Sequence, residues 1–127
     1  MSGIDIAGAA HARTARLDVR EITRRLNAAL GATLVAALAG SKDRSISNRW
    51  AKVDGPVPKP ETVRRLQFAY RQWEQIAQAE SEHVARMWFI SANPLLGEET
   101  PIDAIREDRF KETAAAVEFM VDDSFAG

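Results

Sequence analysis

Apolar residues recur every three or four positions along most of this chain, which is the spacing of helices rather than of strands. The first such stripe begins after Asp18, a helix-capping residue, and ends at Gly31; it consists of Val19, Ile22, Leu26 and Leu30. No window alternates apolar and polar residues for long, and no internal repeat is visible. The pattern therefore predicts an all-α protein.

Caps and helix breakers divide the remaining chain into further helices. Thr33 is a cap candidate for a short second helix that Gly40 ends, and a third helix is predicted from about Ser45 to Val53. Three prolines exclude a helix in 56–60, and Pro60 suits the first position of a long helix that reaches about Ala79. Three more helices are predicted, at about 81–90, 100–107 and 109–123.

The segment 33–53 has the form of a helix-turn-helix, with a tight turn at Gly40-Ser41-Lys42-Asp43. On a helical wheel of the third helix, Ile46, Trp50 and Val53 share one face, so Trp50 is predicted to be a core residue. The remaining face and its flanks are polar and supply the candidate DNA contacts Arg44, Ser45, Ser47, Asn48, Arg49 and Lys52. Arg, Lys and Ser bind phosphate, and Arg and Asn also read base edges. The alternative is a surface helix that is merely solvated.

The charges are sorted along the chain. The whole chain has a net charge of −1, but residues 13–65 contain 12 Lys and Arg against 5 Asp and Glu, and residues 66–127 contain 5 against 12. A half with a net charge of +7 is attracted to nucleic-acid phosphates, whereas a half with a net charge of −7 is repelled by them. The two halves are therefore expected to bind different partners, unless the sorted charges only pair between copies of the chain.

Composition narrows the possible chemistry. The chain has no cysteine and two histidines, so it offers no disulfide, thiol nucleophile or zinc-thiolate site. It also lacks a phosphate loop and a nucleophile elbow, and we expect neither enzymatic activity nor a cofactor or metal site. With no apolar run near the ~20 residues of a membrane span and no leader, the expected location is the cytoplasm, without a membrane partner.

Aromatic residues in the C-terminal half point to a partner surface. Trp88 and Phe89 are neighbours on one helix and cannot share a core face. Phe119 lies opposite the Val117/Val121 stripe and is flanked by acids, as expected of an interface anchor. The alternative is that the protein's own helices cover both faces.

Two stretches resemble a known family. Residues 88–97 (WFISANPLLG) and 100–105 (TPIDAI) resemble the C-terminal domain of Xre/MbcA/ParS-type antitoxins, and residues 34–66 resemble their Xre-like DNA-binding domain. The resemblance extends over 18–127. It implies a type II antitoxin that neutralises a RES-domain toxin, which degrades NAD, and represses its own promoter. The residues it places against the toxin are Trp88, Asn93, Leu96, Phe119, Phe125, Ala126 and Gly127. The alternative is a stand-alone helix-turn-helix transcriptional regulator.

These observations predict three segments. Residues 1–17 are a flexible arm, 18–79 a helix-turn-helix domain for DNA binding and dimerisation, and 80–127 a helical toxin-binding domain that neutralises without the N-terminal part. Because helix-turn-helix proteins that read two-fold operators are usually dimers, a homodimer is expected, as is a hetero-oligomer with the toxin.

Overall fold

The computed structural model describes residues 18–126, with side chains up to residue 123. The predicted arm at 1–17 lies outside the described residues. All regular structure within 18–126 is helical, apart from one isolated bridge between Asn93 and Glu99, which confirms the all-α prediction. The helices are α1 (Val19–Leu30), α2 (Ala32–Ala39), α3 (Ile46–Trp50), α4 (Pro60–Ala79), α5 (Glu82–Ile90), α6 (Pro101–Arg106) and α7 (Phe110–Ala126), with a 3-10 turn at Pro94–Leu96.

Most of the predicted helix starts are confirmed at atomic level. The side chains of Asp18, Ser81 and Thr100 each accept a hydrogen bond from a backbone N–H in the first turn of α1, α5 and α6. Pro60 occupies the first position of α4. Thr33 is the exception, since α2 begins at Ala32 with Gly31 as its cap and Thr33 lies inside the helix.

The third helix is shorter than the sequence predicts. It ends at Trp50, and Val53, placed on its buried face by the helical wheel, is 87% exposed. The guanidinium of Arg20 donates to the carbonyls of Lys52 (2.8 Å) and Gly55 (3.3 Å), so these carbonyls are satisfied without a further helical turn. Gly55 also packs so closely that a Cβ there would lie 1.8 Å from the Arg49 carbonyl oxygen.

One hydrophobic core extends through both predicted domains. It contains Leu26, Leu38 and Leu66 from the N-terminal part together with Phe89 and Ile105 from the C-terminal part, all at most 1% exposed. α2 packs against α6, and α4 packs against both α5 and α7. The predicted boundary at 79/80 coincides with the end of α4, but the main core crosses it, and a small cluster of Leu96, Ala104 and Ala116 lies within the C-terminal half.

An ion pair also joins the two parts. The guanidinium of Arg65 on α4 donates to both carboxylate oxygens of Asp108 (2.9 and 3.3 Å) in the α6–α7 turn and to the Ala39 carbonyl (2.9 Å) at the end of α2. This arrangement, called the Arg65 clasp below, requires Gly40, because a Cβ at that position would lie 2.6 Å from an Arg65 nitrogen.

None of the helices among the described residues is long and apolar enough to cross a membrane.

Candidate interaction surfaces

The polar side of α3 is exposed. The α3 surface is defined here by five of the predicted DNA contacts, all exposed: Arg44, Ser45, Asn48, Arg49 and Lys52. The sixth, Ser47, is fully buried, and its Oγ donates to the Ala32 carbonyl at 2.9 Å. Ser47 therefore fastens α3 to the start of α2, and its prediction as a DNA contact is wrong.

Asp43 organises the start of α3. Its Oδ1 accepts hydrogen bonds from both the backbone N–H and the hydroxyl of Ser45 (3.0 Å each), and its Oδ2 accepts from the Arg49 guanidinium. The hydrogen bond from the Ser45 N–H has the largest effect on the pKa of the Asp43 carboxyl and lowers it, and the hydrogen bond from Arg49 lowers it further. The carboxyl therefore stays ionised at neutral pH. Arg44 and Lys52 are exposed and make no ion pair among the described residues, so no carboxylate there neutralises their positive charges.

Two residues that the sequence did not single out hold the α3 surface in place. Arg20 binds the carbonyls of Lys52 and Gly55, as described above, and the Asn27 Nδ2 donates to the Ser47 carbonyl at 3.1 Å. Both lie on α1, 20 or more positions before their partners. Only the tertiary fold brings them together, so no local sequence signal could have identified them.

Trp50 anchors α3 from below. It is 8% exposed and belongs to the main core, where Ile46 also packs in part. The prediction that Trp50 is a core residue is confirmed, although Val53 does not join it.

The second surface is a groove between α5, the 3-10 turn and α7. This C-terminal groove has a volume of about 400 Å³ and is lined by Trp88, Ala92, Asn93, Pro94, Leu95, Ala116, Phe119, Met120 and Asp123. Phe119 is 63% exposed and Leu95 is 52% exposed. Large apolar side chains are thus presented to solvent next to one another, on the half of the chain that carries the negative charge.

Three of the predicted partner-facing residues lie together at the groove, and a fourth is buried and cannot face a partner. Trp88, Asn93 and Phe119 line the C-terminal groove, but Leu96 is completely buried beneath it with Ala104 and Ala116. Leu96 is therefore a packing residue, because the 3-10 turn directs Leu95 outward and Leu96 inward. The predicted contacts Phe125, Ala126 and Gly127 lie outside the described side chains.

The neighbouring aromatics on α5 are separated as expected. Phe89 is fully buried, while Trp88 is half-buried and meets the Phe89 ring edge to face, with a centroid distance of 5.5 Å. Trp88 also covers the small cluster around Leu96. One aromatic thus stabilises the core and the other forms a wall of the groove.

Asn93 shapes the loop beside the groove. Its Oδ1 accepts from the Leu95 N–H (2.9 Å), and its carbonyl accepts from the N–H groups of Leu96 and Glu98 (2.9 Å each). Arg109 donates to the Leu96 carbonyl at 3.3 Å and pairs with Glu99 and Glu112. Asn93 thereby fixes the direction in which Leu95 points, which is a positioning role.

The charge that lines the groove is negative. Asp123 is the one charged residue among the groove's lining residues. The stretch 112–123 of α7 contains four acids and no Lys or Arg, and Asp122 and Asp123 lie one helical turn beyond Phe119. At the far end of the 3-10 loop, a hydrogen bond with Glu107 raises the pKa of the Glu99 carboxyl.

Comparison of the chain with protein-family models, curated proteins and solved structures gave no match in any of the three. The interpretation of both surfaces therefore depends on the residues of the chain itself.

Proposed function

We propose that this chain is a DNA-binding antitoxin. It binds double-stranded operator DNA through the α3 surface and represses its own operon, and it neutralises a cognate RES-type toxin, which degrades NAD, through the C-terminal groove. One observation carries the proposal. The main core supports two exposed surfaces that share no residue, and one of them is polar and cationic, as DNA binding requires, whereas the other is an apolar groove with an acidic residue, which suits a protein partner.

The α3 surface supports DNA binding. A short α2, the connecting residues 40–45 and a short α3 follow one another in the order of a helix-turn-helix, whose second helix enters the major groove. Arg44 and Lys52 present cations for phosphates, and Asn48 offers an amide that suits an adenine edge. A two-fold operator is matched by a homodimer with half-sites about 34 Å apart or a multiple of that distance.

The C-terminal groove supports binding to a protein. Exposed aromatic and aliphatic side chains beside one another are typical of interface anchors. Asp123 at the groove, on a half of the chain with a net charge of −7, suits a protein that itself binds negatively charged NAD. Together with the family resemblance of residues 88–105, this favours a RES-type toxin as the partner in a hetero-oligomer.

The test uses the full chain and the product of the neighbouring gene, which the proposal expects to be a RES-domain protein. We expect stoichiometric addition of the chain to stop NAD loss, and fluorescence anisotropy to detect binding to the DNA upstream of the operon. Arg44→Ala/Lys52→Ala is expected to weaken only DNA binding, and Phe119→Ala only toxin neutralisation. DNA binding without any effect on NAD loss would instead indicate a stand-alone regulator. The absence of both activities would refute the proposal.

A further inference from the structure

The C-terminal groove has the shape of a receptor for protruding side chains. Ala116, which is 2% exposed, forms its floor, and Trp88, Leu95 and Phe119 rise around it from three different elements. A volume of about 400 Å³ is at the small end of ligand pockets and suits a few anchor side chains. The apolar walls favour apolar anchors, because their contact removes exposed apolar area on both partners from water.

The rim of the groove restricts the charge of its occupant. Asp123 lines the groove and Asp122 precedes it on α7, while no Lys or Arg lies among the lining residues. A second copy docking the same face would bring these acids against each other, and an anionic lipid or nucleic acid would be repelled. Cationic groups on either side of the anchors would be attracted.

We infer that the C-terminal groove binds an amphipathic segment of the partner protein, with apolar anchors about one helical turn apart and Lys or Arg beside them. Such a segment places its apolar face between Trp88 and Phe119 and its cations near Asp123. The inference rests on the proposed function only in that the toxin supplies this segment. The binding preference itself belongs to the groove.

A selection experiment reads this preference directly. The full chain is immobilised and used to select from a library of random 16-residue peptides, with the folded Phe119→Ala variant as counter-selection. Phe119 is largely exposed, so the variant is expected to melt like the parent, which circular dichroism checks. Val53→Ala, which changes another exposed apolar side chain outside the groove, is the matched control.

We expect the selected peptides to carry apolar residues at i and i+3 or i+4 with Lys or Arg beside them. Their affinity should fall roughly tenfold or more with Phe119→Ala. It should fall severalfold with Asp123→Lys, and it should not change with Val53→Ala or with Asp54→Lys, a charge reversal in the loop after α3.

Several results would overturn the inference. They are selection of no peptide, selection of acidic or uncharged peptides, an equal fall in affinity with the Val53→Ala control, or a homodimer that Phe119→Ala dissociates. Peptide binding as expected without toxin binding would leave the groove assignment standing and refute the toxin. Conversely, full NAD protection by Phe119→Ala and Asp123→Lys would refute the role of the groove while the antitoxin activity stands.

Discussion

The α3 surface and the C-terminal groove each centre on an aromatic residue that the sequence singles out, but the two residues do opposite things. Trp50 is 8% exposed and lies under its surface, whereas Phe119 is 63% exposed and forms part of its surface. Polar side chains on α3 and on the residues just before and after it make the α3 surface, and the core serves only to hold it. The groove, in contrast, is made of apolar side chains that the core leaves uncovered. Substitution of the central aromatic therefore affects stability at the first surface and binding at the second.

The largest expected effect concerns the independence of the two regions. The sequence predicts that residues 80–127 act alone, but Phe89, Ile105 and Val117 share one core with α1, α2 and α4. We expect the isolated segment 80–127 to show no cooperative unfolding transition and to give no NAD protection, because its apolar residues would be without most of their neighbours. Circular dichroism with urea titration tests this, with residues 18–127 as the folded control. A cooperative transition in 80–127 would contradict the shared core.

The second prediction compares the two aromatics directly. Trp50→Ala should lower the free energy of unfolding by about 3–5 kcal/mol, since it empties a buried site. Phe119→Ala should lower it by less than about 1 kcal/mol, because most of the ring is already in water. Urea denaturation measures both changes. A Trp50→Ala variant that melts like the parent but loses DNA binding would make Trp50 a contact residue rather than an anchor.

The third prediction concerns charge at the α3 surface. Arg44→Ala/Lys52→Ala should leave stability almost unchanged, because both side chains are exposed and make no ion pair among the described residues. DNA affinity should fall, and the salt dependence of log K should become flatter by about 0.9 for each phosphate that the variant no longer neutralises. Anisotropy titrations over a series of salt concentrations provide the slope. Arg71→Ala, an exposed cation on α4, is the matched control, and an equal effect there would remove the assignment to α3.

The two regions also differ in how far their sequences predict them. Helix starts follow from local chemistry, so the caps Asp18, Ser81 and Thr100 could be predicted, as could the buried side of Trp50. The end of α3 could not, because it depends on Arg20, a residue 32 positions from Lys52. Burial of Ser47 likewise depends on a tertiary contact with Ala32.

The groove is predictable only in part. The adjacency of Trp88 and Phe89 shows that one of them leaves the core, and the helical wheel identifies Phe119 as exposed. Nothing in the sequence Pro94-Leu95-Leu96 tells which leucine points outward, since that depends on the 3-10 geometry fixed by Asn93. The shared core escapes prediction for the same reason, because periodicity locates buried faces but not the helices that cover them.

The smallest expected effect concerns the Arg65 clasp, which joins the end of α2, next to the α3 surface, to the α6–α7 turn. The hydrogen bonds from Arg65 lower the pKa of the Asp108 carboxyl, so the folded state favours its ionised form. A lowered folded-state pKa stabilises the protein above the ordinary aspartate pKa of about 3.9 and ceases to do so as the pH falls through the folded-state value.

Asp108→Asn should therefore lower the free energy of unfolding by about 0.2–1 kcal/mol near neutral pH, within the range of exposed ion pairs, because Asp108 is 55% exposed. Asparagine tolerates the positive φ of 62° at this position, so the substitution removes charge without adding backbone strain. Urea denaturation of parent and variant at about pH 7 and about pH 3 should show the difference shrinking in acid. Asp54→Asn, in the exposed loop after α3, should make little difference at either pH. A deficit of equal size in acid would mean that the charge of Asp108 is irrelevant, and that the two surfaces are held together by the shared core rather than by the clasp.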